Sequence, residues 1–397
     1  MALTFSNIAL IVAAAQGFLL AVLIFQKHRA LYANRFLALL MFSYTVILLH
    51  MLFQDTGVYS SAPWAYLIVG FPLLALPLHY IYTKHLISRS PAMNPMEWIH
   101  FVPFGVLEAG LIGAGAWSVI DLTQTSAATP GDSPLGLRLF NWLIIAMGTA
   151  YLGSSLRLIN RYNDHLKDVL STIERVHLAW LRNITIAGLL AICFFLVEDL
   201  LMTQGVNFSN FLLSSVCFAL YVYGIGYTGL MKSEIFSSPE AARASEIVAD
   251  VEHEEQAAAT TTRYENSRLS PVAAKEYLAR LLALMESEKP YLDSGITLPQ
   301  LAKLLSITPH HLSEVINTQL EKNFFEFINS YRVEHVKKDL ADPRKQNLKL
   351  LSIAFDAGFN SKPTFNSIFK AQTNMTPSEY RKSATAAAPS HSTSRES

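Results

Sequence analysis

The chain has 397 residues, of which 51% are hydrophobic and 16% are charged, and its formal net charge is zero. Its mean hydropathy of +0.28 is too high for an ordinary soluble chain. Residues 1–232 hold only 12 of the 31 lysines and arginines. The sequence therefore predicts an apolar first part and a more charged second part, although neither is basic enough to prove a nucleic-acid partner.

Seven apolar stretches in the first part are long enough to cross a bilayer, whose hydrocarbon core of about 30 Å needs about 20 helical residues. So few charges interrupt them that buried helices of a soluble domain are the weaker interpretation. We predict an all-α fold that begins with a seven-helix transmembrane bundle over residues 1–232. The stretches are approximately residues 4–26, 34–54, 64–86, 98–120, 137–159, 183–204 and 208–231.

The basic residues of this first part lie almost entirely on one side of the predicted membrane. If the N-terminus is outside, eleven of them fall on the inner side and only Arg138 falls on the outer side. Positive residues favour the cytoplasmic side, so the C-terminal half is predicted to lie in the cytoplasm. The eleven are Lys27, Arg29, Arg35, Lys84, Arg89, Arg157, Arg161, Lys167, Arg175, Arg182 and Lys232.

Four ionisable residues inside the predicted spans are candidates for a signal site, because charge within a membrane is costly. One hypothesis is that they line a pocket for a small ligand or a proton, open to the outside; hydrogen bonds between helices are the interpretation that we favour over it. The longest outer loop is residues 121–136, so a signal must be read in the bundle, at its outer mouth or by a partner protein. The four are His50, Glu108, Glu198 and Asp199.

The connecting segments and the two cysteines have simpler interpretations. Residues 160–182 alternate apolar and charged residues, which predicts a helix near the membrane surface or else a solvated connector. Residues 233–270 predict a mobile linker, and residues 384–397 predict a disordered tail. Cys193 and Cys217 lie in apolar runs without metal-ligand neighbours, so we expect buried core thiols and neither a metal nor another cofactor.

Residues 271–290 predict a helix beside the last domain. Leu278, Leu281, Leu282 and Met285 share one face of this helix. The stripe is expected to pack on its own domain, and pairing with a second copy of the chain is the alternative.

A helix-turn-helix pattern begins at Thr297. This residue is suited to cap a short helix, and Thr308 is suited to cap a second helix that runs from Pro309 to about Gln319. Ala302 is small enough for the two helices to cross closely, which is typical of a helix-turn-helix unit. The residues expected to face the partner helix are Ile307, Leu312, Val315 and Ile316.

The pattern is repeated further along the chain, with one additional residue in its turn. Asn360 is the expected cap of the second helix of this repeat. Residues 324–340, between the repeats, predict an amphipathic helix that holds the two units at a fixed separation. The residues Ala354, Gly358, Phe359, Phe365, Ile368 and Phe369 correspond in order to Ala302, Ser306, Ile307, Leu312, Val315 and Ile316.

The double pattern in residues 291–383 resembles the AraC family of bacterial transcription regulators, in particular its membrane-anchored members with a multi-span N-terminal region. The resemblance implies that both units insert their second helices into successive major-groove segments on one face of the DNA. It also implies promoter binding, RNA polymerase as a partner and a bacterial inner-membrane location. The segments that carry it are residues 298–305, 306–313, 327–334, 353–359 and 375–381.

The sequence departs from this family at three turns. Ser306, Glu321 and Asn374 stand where the family often has glycine. Asparagine tolerates a left-handed backbone fairly well, and glutamate is the least expected of the three. The local turn geometry is therefore open.

Helical phase selects the side chains expected to contact DNA, which lie opposite the buried faces of the two second helices. They are His310, His311, Ser313, Glu314 and Asn317 in the first unit, and Lys362, Pro363, Thr364, Asn366, Ser367 and Lys370 in the second. Asparagine can read adenine, glutamate can accept from cytosine and lysine more often holds phosphate. For each residue, an ordinary solvated position is the alternative. The modest net charge of +3 over residues 271–383 favours a homodimer.

Three functions remain open for the whole chain. The first is a regulator that couples a signal at the membrane to promoter binding. In the second, the spans are a passive anchor, and in the third they are a transporter-like or enzyme-like module with a regulatory tail. The sequence contains no nucleophile elbow, phosphate loop, kinase-like motif or metal-ligand pair, so we expect no enzyme.

Overall fold

The structure is a computed structural model in which the described residues are helical, apart from turns, loops and one isolated β-bridge. The predicted all-α fold is confirmed. The chain divides into two compact units, an N-terminal unit of Met1–Tyr162 with Leu178–Ser245 and a C-terminal unit of Asn163–His177 with Glu246–Ser397. The described residues are 4–26, 31–114, 135–174, 176–203, 212–236, 242–243, 246–247 and 269–386.

The N-terminal unit is built from long helices. They are α1 (Phe5–Gln26), α2 (Ala33–Thr56), α3 (Val58–Ser61), α4 (Phe71–Ser88), α5 (Val102–Ala114), α6 (Leu135–Val169), α7 (Ala179–Thr203) and α8 (Leu212–Phe236). The first helix packs on α2 and α8, α2 also packs on α4, and α7 packs on α8. The end of α6 belongs to the C-terminal unit.

Five helical segments are long and apolar enough to cross a membrane. They are Phe5–Gln26, Ala33–Thr56, Trp64–Ser88, Arg138–Val169 and Ala179–Glu198. The predicted stretch 98–120 forms a short 3-10 helix followed by α5, and it continues into residues outside the described part. The predicted stretch 208–231 is occupied mainly by α8. The number of seven spans therefore stays a prediction.

Glycines bring the first helices close together. A Cβ atom at Gly17 would lie 2.7 Å from Thr45 Oγ1, and one at Gly226 would lie 2.6 Å from Met41 Cε. Small residues at such crossings are typical of helices that associate in a membrane. The bundle therefore depends on close backbone approach between α1, α2 and α8.

Many apolar side chains of the N-terminal unit face outward. On α1, Phe5 is 75% exposed, Val12 is 58% exposed and Phe25 is 55% exposed. Cys193 and Cys217 are exposed as well, so the prediction of core thiols is wrong. A helix that is apolar on every side carries no sequence signal for which face is buried.

Polar contacts between elements support the inner packing of this unit. His79 Nε2 lies 3.1 Å from Thr185 Oγ1, which joins α4 to α7. At the end of α4, Lys84 Nζ and His85 Nε2 lie 2.6 Å and 2.9 Å from the carboxylate of Glu97. This carboxylate belongs to the 3-10 helix before α5, so the pair fastens the connection between α4 and α5.

The C-terminal unit contains two helix pairs joined by one longer helix. Its helices are α9 (Pro271–Ser287), α10 (Leu298–Leu305), α11 (Pro309–Leu320), α12 (Phe324–Ala341), α13 (Leu350–Asp356), α14 (Lys362–Thr373) and α15 (Pro377–Ala386). The last helix includes the first residues of the predicted tail. Residues 387–397 of that tail, most of the predicted linker and most of the predicted outer loop 121–136 lie outside the described residues.

The connection between α6 and α7 differs from both interpretations of the sequence. One unbroken helix of 35 residues, α6, includes the fifth predicted stretch and continues to Val169. The described residues between Val169 and Ala179 are not helical, and the chain belongs to the C-terminal unit as far as His177. The buried apolar residues of the part that belongs to the C-terminal unit are Leu166, Val169, Leu170 and Val176. The connection is therefore neither helical throughout nor a solvated connector.

Two hydrophobic cores form the C-terminal unit, and α12 contributes to both. The first core includes Phe324 and Phe327 of α12, and the second includes Val333 and Val336. This agrees with the predicted role of the helix as a spacer. The helix α9 adds its buried residues to the first core, but Leu282 is 37% exposed and does not belong to the buried stripe. Leu282 lies about 100° around α9 from Leu281, the buried residue that precedes it.

Candidate nucleic-acid interface

The first helix-turn-helix unit consists of α10 and α11, and both helices begin at the predicted threonine caps. The hydroxyl of Thr297 accepts from the amide of Gln300, and the side chain of Gln300 accepts from the amide of Thr297 at 2.9 Å. Thr308 Oγ1 accepts from the amide of His311 at 3.2 Å. These bonds satisfy amides that the start of a helix leaves unpaired.

The second unit, α13 and α14, repeats the turn of the first unit. The amide of Ile307 donates to the carbonyl of Ala302 at 3.1 Å, and the amide of Phe359 donates to the carbonyl of Ala354 at 3.0 Å. Each bond runs from the residue after the turn back to the small residue of the preceding helix. The internal repeat inferred from the sequence is therefore present in the backbone.

The cap of α14 is Ser361, so the prediction of Asn360 is wrong. Ser361 Oγ accepts from the amide of Thr364 at 3.3 Å. Proline lacks an amide hydrogen and is favoured in the first turn of a helix. Because Pro363 takes the second helical position after Lys362, the residue that precedes Lys362 becomes the cap.

The three turns at which the AraC family often has glycine keep a left-handed backbone. The angle φ is 55° at Ser306, 52° at Glu321 and 57° at Asn374. A side chain in this conformation costs about 1–2 kcal/mol. The turn geometry is thus preserved although all three residues carry a Cβ atom.

The two helix-turn-helix units of the C-terminal unit approach each other at Gly358. Its φ is 93°, and a Cβ atom there would collide with the carbonyl oxygen of Tyr291 and lie 3.0 Å from Arg332 Nε. Tyr291 precedes the first unit, whereas Gly358 is in the turn of the second. Only glycine allows this conformation and this close approach together.

Arg332 of α12 is buried at the same junction. Its Nε donates to the carbonyl of Tyr291 at 2.8 Å, and its Nη2 donates to the carbonyl of Asp293 at 2.8 Å. The guanidinium lies 6.0 Å from the ring centre of Phe359. Burial lowers the pKa of Arg332 to about 10, and the negative charges of Glu174 and Asp293 act in the opposite direction. Arg332 is therefore protonated at neutral pH and ties the segment before α10 to the second unit.

The residues of α11 that were predicted to contact DNA are only partly open to solvent. Asn317 is exposed. Glu314 Oε1 accepts from the amide of Leu269 at 3.4 Å, and the ring of His311 lies 6.2 Å from that of Tyr277 on α9. The partly buried ones are His310, His311, Ser313 and Glu314. One side of α11 is thus covered by α9 and by Leu269, which precedes the N-cap of α9.

On α14, the side chains predicted to contact DNA are more exposed to solvent than those on α11. Thr364 is partly buried, and its hydroxyl accepts from Ser361 Oγ at 2.9 Å. Phe365 and Phe369 fill the opposite, buried face. The exposed residues are Lys362, Pro363, Asn366, Ser367 and Lys370. Contact of either set with DNA stays a prediction.

Two buried polar residues of α12 were not recognised in the sequence as parts of the junction. Asn329 and Arg332 are each 1% exposed. They stand three residues apart and therefore share one face of the helix. Two polar residues on a face that is otherwise apolar are the signal that could have found them.

The four candidate signal residues lie in the N-terminal unit. His50 Nδ1 is hydrogen bonded to the hydroxyl of Tyr59. The Oε1 atom of Glu108 is buried and accepts no hydrogen bond from the described residues. Glu198 is partly buried on α7, and the side chain of Asp199 lies outside the described part. A pocket shared by the four therefore stays a prediction.

Comparison with known proteins covers the C-terminal quarter of the chain. Residues 301–383 match a family model described as a helix-turn-helix domain. An uncharacterized HTH-type transcriptional regulator of Escherichia coli K12 is 32% identical over 108 residues, which are 26% of this chain and 37% of that protein. The melibiose operon regulatory protein of the same strain is 26% identical over 109 residues, which are 28% of this chain and 34% of that protein.

A third relative extends the comparison to another organism. An uncharacterized HTH-type transcriptional regulator of Staphylococcus aureus strain COL is 31% identical over 91 residues, which are 23% of this chain and 12% of that protein. The chain thus spans about a third of the length of the two E. coli relatives and about an eighth of the staphylococcal one. No solved structure matches the chain.

The C-terminal unit therefore contains a helix-turn-helix domain, the class of domain that presents a recognition helix to the major groove. Its two units share one backbone pattern and are joined by a single long helix. This C-terminal domain is of the AraC type, and the chain is similar over this part to the melibiose operon regulatory protein.

Proposed function

We propose that this chain is a membrane-embedded, sequence-specific DNA-binding regulator of transcription that couples a signal at the membrane to promoter binding. The observation that carries the proposal is the presence, in one polypeptide, of helices able to cross a membrane and of a double helix-turn-helix domain. Two of the relatives are named as HTH-type transcriptional regulators and a third as an operon regulatory protein. We extend that role from those proteins to this chain.

The membrane location is supported by the outer surface of the N-terminal unit. Exposed apolar side chains along α1, such as Phe5, Val12 and Phe25, are unfavourable in water and favourable in lipid. The excess of basic residues on one side orients the chain with its N-terminus outside. We propose a multi-pass protein of the bacterial inner membrane whose DNA-binding domain lies in the cytoplasm.

The proposed DNA-binding surface consists of the open faces of α11 and α14. Asn317, Asn366 and Lys370 are exposed on these helices and have the chemistry to read bases or bind phosphate. The partner would be double-stranded promoter DNA, with RNA polymerase as the partner implied by the family. A homodimer would double the modest positive footprint of one copy.

The signal is proposed to be a small ligand or proton, or a partner in the membrane. Glu108 has a buried oxygen that accepts no hydrogen bond from the described residues, and ionisable groups inside membrane spans are costly and often mark functional sites. His50, Glu198 and Asp199 would complete the site.

Genome-wide mapping of sites bound by the full chain tests the DNA-binding function. Chromatin immunoprecipitation should enrich a small set of promoters, and the double variant Asn366→Ala/Lys370→Ala should abolish the enrichment. The control is Lys275→Ala, which removes an exposed lysine from α9. All three proteins should be recovered in the membrane fraction. Equal enrichment by the double variant, or recovery of the chain as a soluble protein, would refute the proposal.

A reporter fused to the most enriched promoter tests the signal site. Its output should respond when the external pH is stepped between about 5 and 8. Glu108→Gln keeps the size of the side chain and removes its charge, so it should abolish that response. The control is Asp55→Asn, near the end of α2. An unchanged response in Glu108→Gln would contradict a role for Glu108, and a response that survives replacement of residues 1–134 by one unrelated span would favour a passive anchor.

A further inference from the structure

The connection between α6 and α7 is docked in the C-terminal unit through Ser171. This serine is 2% exposed, and its hydroxyl donates to the carbonyl of Ile296 at 2.7 Å. The preceding residue, Leu170, forms an antiparallel bridge with Thr297, which is the cap of α10. The connection therefore binds the segment that leads directly into the first helix-turn-helix unit.

The helix α12 binds the same serine from another direction. Asn329 Nδ2 donates to the carbonyl of Ser171 at 3.2 Å, and Arg332 Nη1 donates to the same oxygen at 3.3 Å. Arg332 Nη2 lies 3.3 Å from Ser171 Oγ. Arg332 is also the residue at the junction of the two units, beside Gly358. Ser171 therefore contacts the residue that joins the first unit to the second.

Apolar burial accompanies these hydrogen bonds. Val169 is fully buried, Leu170 is 6% exposed and Val176 is 4% exposed. Fixing a connection in one conformation costs backbone entropy, so it stays ordered only where its contacts offset that cost. A buried serine whose hydroxyl and carbonyl are both hydrogen bonded, between buried apolar residues, meets that condition.

We propose that residues 169–174 and 176–177 are a docking segment through which the membrane helices set the arrangement of the two helix-turn-helix units. This inference rests on the proposed function and names its regulation. The segment continues directly into α6 on one side and, one residue later, into α7 on the other, so a shift of either helix acts on Ser171. The bonds of Ser171 go to the loop before α10 and to α12, which leaves the exposed face of α14 free. The docked state is therefore the state that binds DNA, and undocking weakens binding.

The variant Ser171→Leu tests this inference in the full chain, reconstituted in lipid nanodiscs. Leucine has no room at a site 2% exposed, so the segment should undock. The probe is the DNA fragment that the wild-type chain enriches most in chromatin immunoprecipitation. We expect affinity for it to fall about tenfold, equivalent to about 1.4 kcal/mol. Ser171→Ala should lower the affinity less, because the backbone carbonyl of residue 171 is kept and still accepts from Asn329.

The matched control is Ser294→Ala in the loop before α10. Ser294 is exposed, and the carbonyl that accepts from Thr172 Oγ1 at 2.9 Å is part of its backbone, which alanine keeps. Affinity should therefore stay at the wild-type value. Equal losses in Ser294→Ala and Ser171→Leu would overturn the specific role of Ser171.

Hydrogen exchange followed by mass spectrometry separates undocking from unfolding. In Ser171→Leu, amides of residues 291–298 should exchange faster, whereas those of α14 should keep their protection. If α14 also loses protection in Ser171→Leu, exchange is measured in Ser171→Ala, where amides of residues 291–298 should again exchange faster while those of α14 keep their protection. Unchanged exchange at residues 291–298 would overturn the docking, and unchanged or higher DNA affinity would overturn its proposed effect. Failure of the proposed function differs from both, because the wild-type chain would then enrich no DNA.

Discussion

The two helix-turn-helix units share one backbone pattern but are stabilised by different means. The first has a largely aliphatic interior and is supported by α9 and by the docking segment at Ser171. The second has an aromatic interior, in which Phe359, Phe365 and Phe369 pack together and Tyr380 of α15 closes the cluster. The position of the first unit thus depends on segments outside its own repeat. We infer that regulation acts on the first unit.

The recognition helices differ in the same direction. On α11, Glu314 and His311 are turned toward Leu269 and α9, and only part of the helix is open. On α14, Asn366 and Lys370 are exposed. From this difference we infer, as an extension of the proposed function, that the second helix-turn-helix unit would supply a constant share of DNA affinity and the first the share that varies.

The largest expected effect is that of Phe369→Ala in the second unit. Truncation of a fully buried phenylalanine should lower the free energy of unfolding of that unit by about 3–5 kcal/mol. Residues 246–397 contain no tryptophan, so hydrogen exchange of peptides from α13 and α14 is the suitable measurement. Peptides from α10 and α11 should lose less protection, because other segments support them. An equal loss of protection in both helix-turn-helix units would contradict the inference that they are stabilised by different means.

Gly358→Ala should have the next largest effect, of about 2 kcal/mol or more. Alanine is strained at a φ of 93° and collides with Tyr291, so the two units must separate. The control is Gly295→Ala, where a Cβ atom would meet nothing nearer than Asp293 Oδ1 at 3.6 Å. Thermal unfolding and DNA affinity should both be impaired only at position 358. If Gly358→Ala and Gly295→Ala had similar unfolding temperatures and DNA affinities, the close approach of the two helix-turn-helix units at Gly358 would be contradicted.

Lys370→Met should have a moderate effect on DNA binding and none on folding. An exposed lysine that contacts one phosphate contributes about one unit to the slope of log affinity against log salt concentration. The slope should fall by that amount. The control is Lys303→Met on α10, which is exposed but does not belong to a recognition helix. A slope equal to that of the wild type would remove Lys370 from the proposed interface.

Glycine at the left-handed turns should have the smallest effect, and it should be stabilising. Glu321→Gly should raise the free energy of unfolding by about 1 kcal/mol, because glycine relieves the strain of a φ of 52°. Asn374→Gly should raise it by only a few tenths of a kcal/mol, since asparagine tolerates this conformation. Chemical denaturation followed by hydrogen exchange measures both. A destabilised Glu321→Gly would mean that the glutamate side chain makes a contact worth more than the strain.

Much of the C-terminal unit could be predicted from the sequence. The caps at Thr297 and Thr308 and the apolar positions of both units follow from spacings of three or four residues, which a helix brings together by itself. The cap at Ser361 was missed by one residue. Neighbouring Asn360 and Ser361 both have capping side chains, and only the position of Pro363 in the first turn distinguishes them.

The site was harder to predict than the fold around it. Helical phase identified the face of α11 that is opposite its buried side, but it could not show that α9 and Leu269 cover part of that face. The exposure of Cys193 and Cys217 was missed for a similar reason, because α7 and α8 have no polar face that marks an outside. Burial on such surfaces depends on neighbours that arrive from elsewhere in the chain.

The sequence alone determined the helices of the C-terminal unit, the caps at Thr297 and Thr308 and the repeat, since each depends on residues a few positions apart, and it also determined the uneven distribution of charge. Tertiary structure alone decided how these pieces are joined. Ser171 and Arg332 are 161 residues apart, and no periodicity links them. Their contact exists because folding buries a guanidinium, which then needs acceptors, and because the connection between α6 and α7 supplies a carbonyl and a hydroxyl at that place.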